Sequence, residues 1–160
     1  MVLSICSGCQ TGAGQAGLEA ARALGIDTTG YVTKGNRTEN GPRPDLIAKY
    51  NLIELESYDY KERTKRNVAM AHGTVIFGKR SVGSNTTEEY CRVLGKPCCW
   101  VYLPEEQRSP KIKVHARPAS FRLWLALHKI EILNVAGNRA SRNPGIGDLT
   151  YRFLMEALSV

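Results

Sequence analysis

Apolar and polar residues alternate along this chain in blocks that predict strands and helices in turn. Short apolar runs predict strands at residues 2–6, 30–33, 51–56, 74–78, 97–103 and 130–135, with a further edge strand around 112–114. Helical spacing predicts helices at 18–24, from Asp59 to about residue 71, from Thr86 to residue 94, after Ser120, and from near Pro144 onward. Because strands and helices alternate, we expect one α/β domain over residues 1–160, with a Rossmann-like, mainly parallel sheet and helices on both faces.

A glycine-rich turn at residues 7–17 separates the first predicted strand from the first predicted helix. Glycines let backbone N–H groups approach a ligand, and a helix N-terminus presents unpaired donors. Gln10 and Thr11 are placed to add side-chain donors. Ser84, Asn85, Thr86 and Thr87 follow a later strand in the same way. These loops predict a pocket for an anion, most often a phosphate. The alternative is that they hold ordinary turn and cap residues, as Thr86 would be if it only caps its helix.

Residues 12–17 also match the GxGxxG pattern of dinucleotide-binding loops. Two features argue against a nicotinamide dinucleotide. Gly12 is too far along the chain from the end of the first strand, at Cys6, and the second predicted strand ends at Lys34 without an acidic residue for a ribose. A lysine at that position favours phosphate or another anion instead.

The net charge of +7 and the pI near 9.3 call for an anionic partner or a solvated basic surface. The basic residues are scattered rather than gathered on one face among aromatic residues, which disfavours nucleic-acid binding. Many of them fall in loops, namely Lys34, Arg37 and Arg43 in one, Lys79 and Arg80 in another, and Arg139 and Arg142 in a third. If these loops meet at one edge of the sheet, the excess charge marks a pocket for an anionic ligand.

Other chemistry is sparse. The odd number of cysteines, five, favours reduced thiols, and Cys6 with Cys9 lacks the further ligands of a zinc site. The histidines have no metal-ligand spacing, so no metal site is expected. The longest apolar run, residues 98–103, is too short to cross a bilayer, and the first residues lack the features of a signal peptide. We therefore expect a cytoplasmic protein with no membrane partner.

Short motifs spread over nearly the whole chain resemble one family in their order and spacing. They are the segments 7–12 (SGCQTG), 23–26 (ALGI), 34–37 (KGNR), 62–64 (ERT), 67–68 (NV), 73–74 (GT), 95–97 (GKP), 134–139 (NVAGNR) and 144–146 (PGI). This sequence resembles the molybdenum cofactor carrier proteins, which belong to the Rossmann-like nucleotide-binding domains that also contain the LOG phosphoribohydrolases.

The resemblance implies a homo-oligomer that binds the molybdenum cofactor, a pterin carrying a phosphate, without transforming it. The cofactor-binding residues that it implies are Gly8, Gln10, Thr11, Gly12, Lys34, Gly35, Arg37, Gly83, Ser84, Thr86, Thr87, Asn138 and Arg139. Backbone N–H groups of the first and third of these loops would hold the phosphate, and Lys34, Arg37 and Arg139 would add charge-assisted hydrogen bonds.

This sequence also departs from the family pattern. Cys9 stands where the family has a second glycine, and Gly14 and Gln15 stand where it usually has an acid and a base. In the LOG-type enzymes a glycine-rich loop leads to a catalytic glutamate, and Glu89 lies near that place. A nucleotide N-glycosidase that uses Glu89 is therefore the alternative function. Against it, Val82 and Asn85 replace glycines of the enzyme motif, and acidic residues such as Glu88 and Glu89 more often serve to stabilise the first turn of a helix.

Overall fold

The computed structural model describes residues 1–159 and shows alternating strands and helices. In chain order the strands are β1 (Ser4–Cys6), β2 (Asp27–Thr29), β3 (Tyr31–Val32), β4 (Arg37–Thr38), β5 (Gly41–Pro42), β6 (Ile53–Glu54), β7 (Gly73–Phe77), β8 (Cys98–Val101) and β9 (Ile132–Gly137). The α-helices are α1 (Ala13–Ala23), α2 (Asp45–Lys49), α3 (Tyr60–Met70), α4 (Val82–Leu94), α5 (Pro118–Leu127) and α6 (Ile146–Leu158), and a 3₁₀ turn covers Glu105–Gln107.

The main sheet places the last strand of the chain at its centre. Across residues 1–159 it has five parallel strands in the order β2-β1-β9-β7-β8. If strands are counted from β9 and the count continues through β1, this order reads 3-2-1-4-5, the usual order of a dinucleotide-binding Rossmann domain. The order reverses between β9 and β7. A ligand crevice is therefore expected above the carboxyl ends of these two strands.

Helices cover both faces of this sheet, which confirms the predicted fold class. Helices α1, α5 and α6 share one core with alternate strand residues such as Val75 and Phe77, which pack near Phe121 and Phe153. Helices α3 and α4 pack against each other and contact β9 and β7. Trp100, fully buried on β8, belongs to a separate cluster with Ile76 and Leu103.

The predicted second and third strands do not join the main sheet as expected. The edge of the main sheet is β2, which ends before the predicted strand at 30–33, while β3 and β6 pair in parallel as a separate two-stranded sheet. Asn67 explains how β3 can leave the main sheet. Its side-chain oxygen accepts the N–H of Tyr31 at 2.8 Å and its side-chain nitrogen donates to the Tyr31 carbonyl at 2.9 Å. These bonds replace those that a neighbouring strand would supply.

Helix α1 begins earlier than the sequence pattern predicts, at Ala13 rather than Leu18. Gly17 therefore lies in the helix and not in the loop. A Cβ at Gly17 would come within 2.7 Å of the Cβ of Val135, so the glycine allows α1 to pack closely on β9. Part of the GxGxxG pattern thus reflects helix packing and not ligand binding.

Helix α4 also begins earlier than the sequence pattern predicts, at Val82 rather than Thr86. Ser81 caps the helix and exchanges reciprocal hydrogen bonds with Ser84, so Thr86 is an interior helical residue that donates to the Val82 carbonyl at 2.8 Å. Helix α5 likewise begins at Pro118 with Arg117 as its N-cap, not after Ser120.

Other local predictions agree with the structure. Asp59 caps α3 by accepting the N–H of Lys61 at 2.9 Å. The expected edge strand near 112–114 is present as an isolated parallel bridge between Val114 and Trp100.

Candidate functional site

A cavity of about 860 Å³ opens at the carboxyl ends of β1, β7 and β9. Its walls come from the β1–α1 loop, one side of α3, the β7–α4 loop with the start of α4, and the end of β9 with the loop that follows. The lining residues are 7–10, Gly14, Tyr60, Lys61, Arg63, Thr64, Asn67, 79–83, Thr86, Thr87, 134–139, Ser141 and Arg142. A separate depression of about 620 Å³ lies at the opposite end of β1 and β2, beside Ser4 and Asp27.

Asn138 locks two of these loops together. Its side-chain oxygen accepts the N–H of Lys79 at 2.7 Å and the side-chain amide of Asn143 at 3.0 Å, and its side-chain nitrogen donates to the Lys79 carbonyl at 2.8 Å. The Asn138 carbonyl accepts the N–H of Ala13 at 3.2 Å, which adds the start of α1 to the same unit. The cavity floor is thus held in place before any ligand binds.

The β1–α1 loop is held by Ser7 in a conformation that suits glycine. The Ser7 hydroxyl donates to the Gly14 carbonyl at 2.9 Å and accepts the N–H of Cys9 at 3.0 Å. Cys9 has a φ of 59°, in the left-handed region. A glycine at this position would adopt this backbone without strain. Cys9 keeps the same turn at the cost of about 1 kcal/mol or more.

Several backbone N–H groups at the cavity donate to no acceptor within residues 1–159. They belong to Gly8 and Gln10 in the β1–α1 loop, Val82 and Gly83 in the first turn of α4, and Arg139 after β9. Unpaired N–H groups at loop turns and helix starts are donors suited to an oxyanion.

Arg63, on α3, lies across the β1–α1 loop and, among the described residues, has no acidic partner. Its guanidinium is 4.9 Å from the centre of the Tyr60 ring and donates to the Gly8 carbonyl at 3.4 Å. A Cβ on Gly8 would lie 2.6 Å from Arg63 Nε, so glycine permits this approach. Burial, reinforced by the charge of Arg139, lowers the pKa of Arg63 to about 10. Arg63 is therefore still a cation at neutral pH, but one without a counter-ion.

Arg80, in the β7–α4 loop, is already neutralised. Its guanidinium donates to Glu88 at 3.0 Å and to Asn85 at 2.7 Å, and it lies 4.9 Å from the centre of the Trp100 ring. The other oxygen of Glu88 accepts the Trp100 indole N–H at 2.6 Å. In contrast, Lys79, Arg139 and Arg142 form no ion pair within residues 1–159.

The structure brings most of the predicted site residues to this cavity. Those on its lining are Gly8, Gln10, Gly83, Thr86, Thr87, Asn138 and Arg139. Thr11, Gly12 and Ser84 lie directly behind the lining. The Thr11 hydroxyl accepts the N–H of Ala140 at 3.1 Å, Gly12 is the N-cap of α1, and Ser84 completes the cap of α4.

Lys34, Gly35 and Arg37 are the predicted site residues that lie elsewhere. They are not part of the cavity lining in the described chain. Lys34 and Arg37 flank the exposed Tyr58 ring, at 5.9 and 5.4 Å from its centre, and the N–H of Gly35 donates to Glu54 at 2.6 Å.

Glu89, proposed as the alternative catalytic residue, faces solvent. It pairs with Arg92 on the outer side of α4, which lowers the pKa of Glu89, and it is outside the cavity lining of residues 1–159. Its neighbour Glu88 points inward but is engaged by Arg80 and Trp100.

The sequence analysis missed the α3 wall. Tyr60, Arg63, Thr64 and Asn67 all line the cavity and stand at positions i, i+3, i+4 and i+7 of a helix. This polar stripe is the signal that would have identified the wall. The predicted site also left out four residues of the lining, namely Lys79, Arg80, Ser141 and Arg142. The three cations among them were predicted only as part of the basic loops.

No group of three or more His, Cys, Asp or Glu residues within 1–159 is arranged to hold a metal ion. Burial raises the pKa of Cys6 to about 12 and that of Cys9 to about 11, so both thiols are protonated at neutral pH. None of the described helices has the length and apolar content needed to span a bilayer.

Comparison with known proteins agrees with this architecture. The model of the circularly permutated YpsA SLOG family matches residues 5–158. A solved structure from Syntrophus aciditrophicus SB, described as "Putative molybdenum carrier protein", is similar over 99% of this chain and 96% of its own, with 32% sequence identity and a TM-score of 0.79. No curated protein matches the chain significantly.

The strand order explains why a circular permutation fits this fold. Strand β9, last in the chain, occupies the place of the first strand in the usual Rossmann order. The resemblance inferred from the short motifs is confirmed by these matches. The chain belongs to the circularly permutated YpsA SLOG family.

Proposed function

We propose that this protein binds and carries the molybdenum cofactor, or a similar phosphorylated heterocycle, without transforming it. The observation that carries the proposal is the meeting of unpaired cations and unpaired backbone N–H groups in one cavity. The name of the similar Syntrophus structure points to the same class of ligand.

The phosphate is the best supported part of this ligand. Arg63 and Arg139 face the cavity as cations without an ion-pair partner in residues 1–159, and their mutual repulsion contributes to the lowered pKa of Arg63. A bound dianion would relieve this repulsion and supply acceptors for the N–H groups of Gly8 and Gly83. Gln10 would add a side-chain donor, because its Nε2 has no acceptor within residues 1–159, whereas the hydroxyl groups of Thr86 and Thr87 already donate to helix carbonyls.

The remaining space fits a heterocycle. A cavity of about 860 Å³ lies within the size range of small-molecule sites, about 300–1,000 Å³. Tyr60 offers an aromatic face at the wall, next to the Arg63 guanidinium.

A carrier role fits better than catalysis. The glutamate nearest to the cavity, Glu88, is held by Arg80 and Trp100, and Glu89 is paired with Arg92 at the surface. Neither carboxylate is free to act on a bound nucleotide.

Two measurements test the proposal. Mass spectrometry of the small molecule that leaves the purified protein on denaturation should detect a phosphorylated heterocycle. Incubation with a panel of nucleoside monophosphates should release no free base. Release of base that is lost in the Glu89→Gln variant would contradict a carrier and support an N-glycosidase.

We also propose that the protein is a homo-oligomer, as the resemblance implies. Leu123 and Leu127 lie one helical turn apart on α5 and are 72% and 74% exposed, which supports an apolar contact there. Light scattering should give a mass above 17.7 kDa, and replacing both leucines with glutamate should shift the mass toward the monomer. A wild-type monomer would contradict this proposal. The cytoplasmic location stays a prediction.

A further inference from the structure

The hairpin formed by β4 and β5 brings the carboxylate of Glu39 into contact with two loops beside the cavity. At its tip, Glu39 accepts hydrogen bonds from the hydroxyl groups of Thr11 and Ser141, and from the N–H of Ser141 at 3.2 Å. The N–H of Glu39 donates to the side-chain oxygen of Gln10 at 2.9 Å. The hairpin thus contacts both the β1–α1 loop and the β9–α6 loop.

The donors around Glu39 form a set that suits any oxyanion. Two hydroxyl groups and a backbone N–H converge on one carboxylate, and the Ser141 and Thr11 bonds, with the nearby charge of Arg139, lower the pKa of Glu39. Ser141 and Arg139 also line the cavity. The contact therefore joins the hairpin to the wall where the ligand is proposed to bind.

The position of these donors in the fold points to the same use. They belong largely to the turn between β9 and α6. Since β9 holds the place of the first strand in the Rossmann order, this turn corresponds to the first β–α turn, where such domains bind a phosphate group.

Two buried donors on the other side of this contact lack acceptors. Within residues 1–159, Gln10 Nε2 and Arg63 Nε are buried and make no hydrogen bond, although both side chains line the cavity. A buried polar group without a hydrogen-bond partner destabilises the folded protein. These two free donors indicate that this wall of the cavity lacks an acceptor in the free protein. In that state the carboxylate of Glu39 bonds to Thr11 and Ser141 instead.

We propose that Thr11, Ser141 and Arg139 form an oxyanion subsite that Glu39 fills in the free protein. A phosphoryl group of the ligand takes the place of the carboxylate, and the hairpin tip moves away. This inference rests on the proposed function, because it assumes an anionic ligand in the same cavity. Glu39 is therefore an internal competitor of the ligand.

The test compares binding of inorganic phosphate to the wild type, to Glu39→Gln and to Glu62→Gln. The Glu39→Gln variant keeps the size of the side chain and removes its charge. Glu62→Gln removes the same charge from α3, where Glu62 pairs with Arg66 at 3.6 Å and does not touch the loops. In calorimetry we expect Glu39→Gln to bind phosphate about fivefold tighter or more, and Glu62→Gln to stay within about twofold of the wild type.

Hydrogen exchange reports the movement directly. Phosphate added to the wild type should speed amide exchange in residues 37–42 and slow it in residues 7–14. In Glu39→Gln the hairpin should already exchange fast without phosphate. Equal phosphate affinity of the two variants, or slower exchange of the hairpin when phosphate binds, would overturn the subsite alone. Absence of phosphate binding by all three proteins would overturn both the subsite and the proposed function.

Discussion

Two arginines line the cavity from different elements of the fold, and their surroundings differ. Arg80, at the start of the α4 wall, has Glu88 and Asn85 as acceptors and the Trp100 ring beneath its guanidinium. Arg63, on the α3 wall, has an aromatic neighbour and one long bond to a carbonyl, but its Nε has no acceptor in residues 1–159. The charge of Arg80 is neutralised within the protein, whereas that of Arg63 has no counter-ion among residues 1–159.

This difference assigns Arg80 to the stability of the fold and Arg63 to ligand binding. A cation that is paired and stacked stabilises its own wall and has little left to offer a ligand. A half-buried cation without a counter-ion destabilises the free protein, and this cost is offset when an anion binds. The α4 wall is therefore expected to matter for stability, and the α3 wall for affinity.

The largest expected effect is on phosphate affinity in Arg63→Ala. Loss of a charge-assisted hydrogen bond, about 1.5–3 kcal/mol, should weaken binding by about 10- to 100-fold in calorimetry. The stability of the free protein should stay the same or rise, because a half-buried charge without a counter-ion is removed. Lys65→Ala is the matched control, since Lys65 is an exposed cation on the same helix. Equal affinity in the two variants would contradict the assignment of Arg63 to the site.

Arg80→Ala should produce the opposite pattern. Glu88, whose side chain is 32% exposed in the wild type, would lose its cation. Urea unfolding should show that the free energy of unfolding falls by about 1–2 kcal/mol. Phosphate affinity should change by less than about threefold, because Arg80 is already neutralised. Adding Glu88→Gln to Arg80→Ala should recover part of the stability. If Arg80→Ala instead reduced affinity as much as Arg63→Ala, the two walls would not differ in role.

Much of the fold was predictable because its central strands are uniform. Strands β7 and β8 are apolar runs buried on both faces, which a sequence pattern identifies easily. The order of parallel strands was not predictable, since each crossover can return on either side of its starting strand. The sequence analysis therefore predicted a mainly parallel sheet without a strand order, whereas the structure puts β9 at the centre.

The site was only partly predictable, for a similar reason. Loop residues near glycines were found, and most of them line the cavity. Arg63 and Glu39 were not found, because their roles depend on contacts with residues far away in sequence. Glu39 meets Ser141 only after the whole sheet has formed.

The double variant Lys34→Ala with Arg37→Ala tests how far the site extends beyond the α3 wall. Both cations lie over Tyr58, outside the cavity lining of the described residues. They can act on a bound anion mainly through long-range attraction. We expect phosphate affinity to fall by less than about threefold at low salt, with the difference vanishing near 0.5 M salt, where charges are screened within roughly 5 Å. A larger loss that persists at high salt would show that this loop contacts the ligand directly.

The smallest expected effect is the contribution of Glu39 to stability and its loss at acidic pH. The hydrogen bonds from Ser141 and Thr11 lower the pKa of Glu39 below its ordinary value of 4.5. A carboxylate whose pKa is lowered on folding contributes stability above its ordinary pKa and loses it as the pH falls through the lowered value. The wild type should therefore be slightly more stable than Glu39→Gln in urea unfolding near neutral pH, and the difference should shrink below about pH 4. Near neutral pH the same substitution is expected to reduce stability and to raise phosphate affinity. A carboxylate that only holds the hairpin would reduce stability without the gain in affinity, so the opposite signs distinguish an internal competitor from a structural contact.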